Sequence, residues 1–191
     1  MRKTIAILFL IFFNGFIFSQ QKIEKEYRIK PEKVPKVALD FVKSNDFKKR
    51  VKWYAEESND GKTFEAKVCH EKHLYSIEFS EEGILLDIEK KVDFKNVNKT
   101  AQQNITSYLT DNYSKFRFKK VQIQYKGISN ELQQVFISKD RKLIKAKIAY
   151  ELIINAKKDG NFKSYEMLFD ENGIHLKSLP IAPAYSLNLE F

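Results

Sequence analysis

The feature that most constrains this chain is a block of sequence that occurs twice, 90 residues apart. It reads YSIEFSEEGI from Tyr75 to Ile84 and YEMLFDENGI from Tyr165 to Ile174. Tyr75, Phe79, Gly83 and Ile84 have counterparts in Tyr165, Phe169, Gly173 and Ile174, so spacing is kept as well as residue type. Self-similarity at a fixed offset reads as one supersecondary unit used twice.

The unit can be read outward from that block. Lys33 to Asn45 places Val34, Val37, Ala38, Phe41 and Val42 at helical spacing, with Pro31 and Pro35 suited to a first turn. Thr100 to Tyr113 repeats the pattern with Ala101, Ile105, Tyr108 and Leu109, and Asn98 or Thr100 is the cap. Period-two alternation follows in Val51, Trp53 and Ala55, in Phe64, Ala66 and Val68, in Tyr75, Ile77 and Phe79, and in Ile84, Leu86 and Ile88. Asn59-Asp60-Gly61, Glu71-Lys72 and Glu82-Gly83 are the turns between them. Val121, Ile123 and Tyr125 open the second series, which turns at Lys158-Asp159-Gly160. The expected fold class is α+β: two repeats of one helix plus a four-stranded antiparallel sheet, with the helices on one face covering the apolar side. The boundaries are a signal peptide at 1–19, a first repeat at 20–95, a second at 96–181 with an insert at 127–141, and a C-terminal tail at 182–191. Within the insert, Ser129 opens a short helix that groups Leu132, Val135 and Phe136. It reads either as a surface decoration with a satellite core or as a recognition element.

The leader sets the compartment. Arg2 and Lys3 precede an apolar run from Ile5 to Phe13, Asn14 and Gly15 interrupt it, and Ser19 is a small residue at the expected cut. The run falls short of the roughly 20 apolar residues that span a bilayer. The expected location is therefore periplasmic or secreted, with no stable membrane insertion of the mature chain. Lys and Arg outnumber Asp and Glu by 34 to 25, yet lysines alternate with glutamates along the strands, which is unlike the clustered charge of a nucleic-acid binder. Cys69 is the single cysteine, so the fold rests on burial and not on an internal disulfide. Cys69, His70 and His73 do not make a recognised zinc frame. The sequence has no Gly-x-Ser-x-Gly, no phosphate loop and no His-Glu-x-x-His. Neither a catalytic set, a metal nor a cofactor is expected.

The order of a helix, an aromatic on the first strand at Trp53, a Tyr-x-x-x-Phe strand, an acidic-Gly turn and an aliphatic strand resembles the PepSY-like, β-lactamase-inhibitor-like domains of Bacteroidetes. The resemblance covers roughly residues 27–181, and the leader, with Gln20 and Gln21 after the cut, resembles export signals of the same bacteria. It implies a tandem α+β fold whose sheet face grips a protein, and it carries over no catalytic residue.

If Val51, Trp53 and Ala55 face the helix, then Lys52, Tyr54, Glu65, Lys67, Glu78 and Asp87 face away. Their second-half counterparts are Gln122, Gln124, Lys145, Lys147, Glu151 and Lys177. The partner-binding candidates are Tyr54, Lys52, Lys67, Gln124, Lys145, Lys147 and Lys177, with Tyr54 as the aromatic anchor. The expected function is a secreted or periplasmic non-catalytic binding module that grips a protein or peptide partner of acidic surface, with inhibition as one outcome. The alternative is a cell-envelope-associated structural protein that binds anionic polymers or lipid headgroups.

Overall fold

The structure is a computed structural model and describes residues 24–58, 61–138 and 144–181. Among the described residues the frame is one antiparallel sheet of nine strands, and the order across the sheet equals the order along the chain. The strands are β1 Glu24–Ile29, β2 Lys52–Ser58, β3 Gly61–His70, β4 His73–Ser80, β5 Leu85–Lys91, β6 Lys115–Lys126, β7 Lys147–Lys158, β8 Asn161–Asp170 and β9 His175–Pro180. Among the described residues three α-helices accompany them: α1 Lys36–Ser44, α2 Lys99–Asn112 and α3 Ser129–Ile137. The expected signal peptide, the tail, the Asn59-Asp60 turn and the end of the insert lie outside the described residues.

This architecture corrects the expected pair of helix-plus-four-strand repeats. β5 and β6 pair through Ile88 with Tyr125, Glu89 with Gln124, Lys90 with Ile123 and Lys91 with Gln122, so the sheet runs unbroken across the boundary drawn at 95 and 96. Two separate sheets would leave two further rows of unpaired backbone N–H and C=O groups, and pairing removes them. β1 adds a strand outside β2. Its sequence, EKEYRI, alternates too weakly between polar and apolar to read as a strand. The third helix is also integral: Leu132, Val135 and Phe136 are buried in the main core, and Phe136 packs edge-on to Phe47 and Tyr75 at 5.0 and 5.2 Å.

All three helices lie on one face. Trp53, Ala66, Ile77 and Ile88 are successive cross-strand neighbours, Ile88 faces Tyr125, and Ile123 continues the surface through Tyr150 to Phe169. Ala38 and Val42 of α1, Ala101, Ile105 and Leu109 of α2, and the three apolar residues of α3 are buried against this surface in a single cluster. Phe41 meets Phe79 at 5.8 Å and Tyr108 meets Phe169 at 5.5 Å, both edge-on. Each fully buried large side chain contributes about 1.5–3 kcal/mol, so the helix layer is fixed by burial. Asn98 anchors the start of α2. Its Oδ1 accepts from Ala101 N–H at 2.7 Å, and its Nδ2 donates to Tyr150 Oη and Glu171 O, each at 2.8 Å.

The duplicated block forms two hairpin turns of the same geometry. Ser80 N–H donates to Ile84 O at 2.8 Å and Gly83 N–H to Ser80 O at 2.9 Å; Asp170 N–H and Gly173 N–H do the same with Ile174 O and Asp170 O. The side-chain oxygens of Ser80 and Asp170 accept from Ile84 N–H and Ile174 N–H. Gly173 has φ +80°, and a Cβ there would lie 2.5 Å from Ala101 O, so glycine lets α2 rest directly on the turn. A bulge follows each turn. Phe79 pairs with Leu85 but Glu78 with Asp87, and Phe169 pairs with His175 but Leu168 with Lys177. The expected inward series Ile84, Leu86, Ile88 is therefore corrected. The extra residue shifts the phase, Leu85 packs on the core, and Ile84 and Leu86 are 63% and 40% exposed.

Candidate partner-binding face

The face without helices carries the polar alternation. Strand register sets three rows of side chains across it. One runs Arg28, Tyr54, Glu65, Glu78, Asp87. The second runs Lys52, Lys67, Ser76, Glu89, Gln124, Ala149. The third runs Lys91, Gln122, Glu151, Leu168, Lys177. Tyr54, Lys52, Lys67, Gln124 and Lys177 thus share this face, and Lys147, paired with Lys126, shares its phase. Lys145 is exposed and lies two residues ahead of β7.

These candidates differ in availability. Lys52, Lys147 and Lys177 are exposed. Lys67 is 9% exposed and donates to Glu26 at 2.7 Å, with Glu65 at 3.1 Å. Its ammonium lies over the Tyr54 ring at 4.6 Å, which holds the half-buried tyrosine in place. Gln124 is 7% exposed and donates to Asp87 Oδ2 at 3.1 Å.

At the centre of the face, carboxylates stand against one another. Glu65, Glu78 and Asp87 are direct cross-strand neighbours, an arrangement of like charges that destabilises a sheet when all are ionised. Burial, followed by the Glu56 charge, lifts Glu78 to about 7. Burial, followed by Glu78, lifts Asp87 to about 8 against the pull of Lys126, whose Nζ is 3.7 Å from Asp87 Oδ2. Burial, followed by Asp87, lifts Glu89 to about 7. Burial lowers the Lys120 ammonium, but Glu151 and Glu89 outweigh it and hold it above its ordinary value. Among the described residues, Asp87 Oδ1, Gln122 Oε1 and Gln124 Oε1 are buried without a hydrogen-bond partner. Having almost no accessible surface, these atoms belong to the interior of the carboxylate cluster, where a protonated carboxyl can act as a donor.

One end of the same face is cationic. A cavity of about 410 Å³ lies where β2 and β4 begin and β5 ends, and Lys49, Arg50, Lys52, Lys67, Lys91 and Lys120 line it. Cys69 and Leu74, directly opposed across β3 and β4, lie between them. The alternation pattern did not single out Lys49, Arg50, Glu89, Lys91 or Lys120. Two signals were present: the run Lys48-Lys49-Arg50, and the jump in apolar phase from Phe118 to Val121. That jump marks the bulge between Phe118 and Lys120 and turns Lys120 onto this face. Cys69 and His70 project to opposite faces of β3. His70 sits edge-on to Phe47 and Phe136 in the helix layer, with Nε2 3.3 Å from Phe136 O.

A helix layer on one face of a long antiparallel meander, with a polar opposite face, defines a two-layer α+β protein. No family model matches the sequence, and no curated protein does. Among solved structures the chain is similar to a DUF2874 family protein from Bacteroides ovatus, with a TM-score of 0.54 at 14% identity, covering 82% of this chain and 96% of that one. It is also similar to a BLIP-like protein from Bacteroides fragilis, with a TM-score of 0.47 at 13% identity, covering 77% of this chain and 86% of that one. The first of these shows a shared fold.

Proposed function

We propose that this protein is a secreted or periplasmic, non-catalytic binding module whose helix-free sheet face grips a protein or peptide partner. The observation that carries this reading is Tyr54, half-buried and braced by the Lys67 ammonium 4.6 Å over its ring, on a face that none of the described helices covers. It is a rigid aromatic of the kind enriched where interfaces concentrate their energy. The exposed lysines toward the ends of the rows would set the rate and orientation of approach. The test is site-specific photo-crosslinking of the mature chain in extracts of its own cell envelope. A crosslinking residue at Tyr54 or at the exposed Lys147 should capture a discrete partner that the same residue at Ser107, exposed on α2, does not. Capture from Ser107 alone would move the interface to the helix layer and refute the reading.

A further inference from the structure

The cationic cavity makes a second demand on chemistry, one that does not depend on a protein partner. Its described lining holds six cationic residues and no carboxylate, although the adjoining centre of the face is rich in carboxylates. Lys67 is bound to Glu26 and Glu65, and Lys120 is held by Glu151 and Glu89. Lys49, Arg50 and Lys52 are exposed at the rim. Cations gathered around one hollow raise its potential and concentrate anions there. The floor, however, is apolar. Leu74 is a large side chain left 44% exposed, and it faces Cys69. A volume of about 410 Å³ falls in the range of small-molecule sites. A bare inorganic anion would use the rim and leave Leu74 in water.

We propose that this cavity binds a small amphipathic anion, a carboxylate or phosphate monoester on a short alkyl body, with its charge among Lys49, Arg50 and Lys52 and its apolar part on Leu74 and Cys69. Cys69 is the only cysteine in the chain, so its alkylation reports on the cavity without labelling elsewhere. In the unmodified protein, anionic iodoacetate should react with Cys69 about tenfold faster, relative to neutral iodoacetamide, than it does with N-acetylcysteine amide, and the preference should collapse at high salt. Decanoate and decyl phosphate, below their micellar concentrations, should each slow alkylation by iodoacetamide about tenfold or more. Decyltrimethylammonium and inorganic phosphate at equal concentration should not. The double variant R50E/K52E, altered at two exposed positions, should lose protection by decanoate, while R50K/K52R should keep it. Equal protection by inorganic phosphate, no protection by either decyl anion, or protection that survives charge reversal would overturn the proposal. So would sedimentation with phosphatidylglycerol vesicles without protection by decanoate, which would assign the charge to a membrane surface. If R50E/K52E fails to fold, the iodoacetate preference and the decyl-anion protection of the parent decide the question.

Discussion

Asp87 is the group whose titration most directly tests the electrostatics of the helix-free face. It is 3% exposed, it accepts from Gln124, and Glu78 stands directly opposite. Burial, then Glu78, lifts its carboxyl to about 8, whereas an unfolded aspartate titrates near about 3.9. The native state therefore keeps a proton that the unfolded state releases. The associated stability is fully present below the unfolded value and is lost as pH rises toward the folded one. The loss is about 1.4 kcal/mol per pH unit for each proton retained. His73 and His175, both held below their ordinary value chiefly by burial, act in the opposite sense below about pH 6.5. The informative window is thus roughly pH 6.5 to 8, over which one retained proton removes about 2 kcal/mol. Asp87→Asn preserves shape and has no proton to titrate. Urea denaturation across this window should show the parent losing stability and the variant losing less, with the gap widening by about 2 kcal/mol. Glu78 and Glu89 remain as the residual slope below about 7. A parent whose stability is flat or rises over the window would refute the reasoning, as would a variant that runs parallel to it.

Four further outcomes are expected. Trp53→Ala should cost about 3–5 kcal/mol in denaturant melts, because Trp53 is 4% exposed and lies 5.9 Å from Phe79. Phe136→Ala should cost about 3 kcal/mol or more and shift near-ultraviolet dichroism, since Phe136 joins α3 to Phe47 and Tyr75; a loss below about 1 kcal/mol would return α3 to the surface. Gly173→Ala should destabilise more than Gly160→Ala in thermal melts. Both glycines have φ near +80°, but only the first would bring a Cβ against α2, so equal losses would mean the turn does not support the helix. Asn98→Ala should cost about 1–2 kcal/mol through the lost cap and the lost bond to the Tyr150 hydroxyl, measured by the same melts.

Local features were legible in the sequence, and long-range ones were not. Trp53, Ala66, Ile77, Ile123 and Tyr125 are buried where alternation put them, because an alternating strand beside a helix has one way to bury its apolar phase. The two glycine turns were visible for a similar reason: positive φ and close approach both exclude other residues. The joining of β5 to β6 was hidden, since pairing across the connection that carries α2 leaves no periodic mark. The bulges at Glu78/Phe79 and Leu168/Phe169 reversed the phase of β5 and β9 after their turns, so Ile84 was misplaced although Asp87 and Lys177 were not. The row Glu65–Glu78–Asp87 exists only in the register of three strands. The six cations of the cavity come from β2, β3, β5, β6 and the loop before β2, and no local window contains them.

The identity of strand order with chain order has a kinetic consequence. Every ladder in this sheet joins strands that follow one another along the chain, so the sheet needs no crossover to bring distant segments together. Such a topology keeps sequence separation between contacts low, and folding rates rise as that separation falls. The hairpins β2–β3, β3–β4 and β7–β8 have the shortest connections and are the natural first steps. The connections that carry α1, α2 and α3 close longer ones, with more chain entropy to lose. Assembly can then advance strand by strand from any of these hairpins, each new strand finding its template already in place.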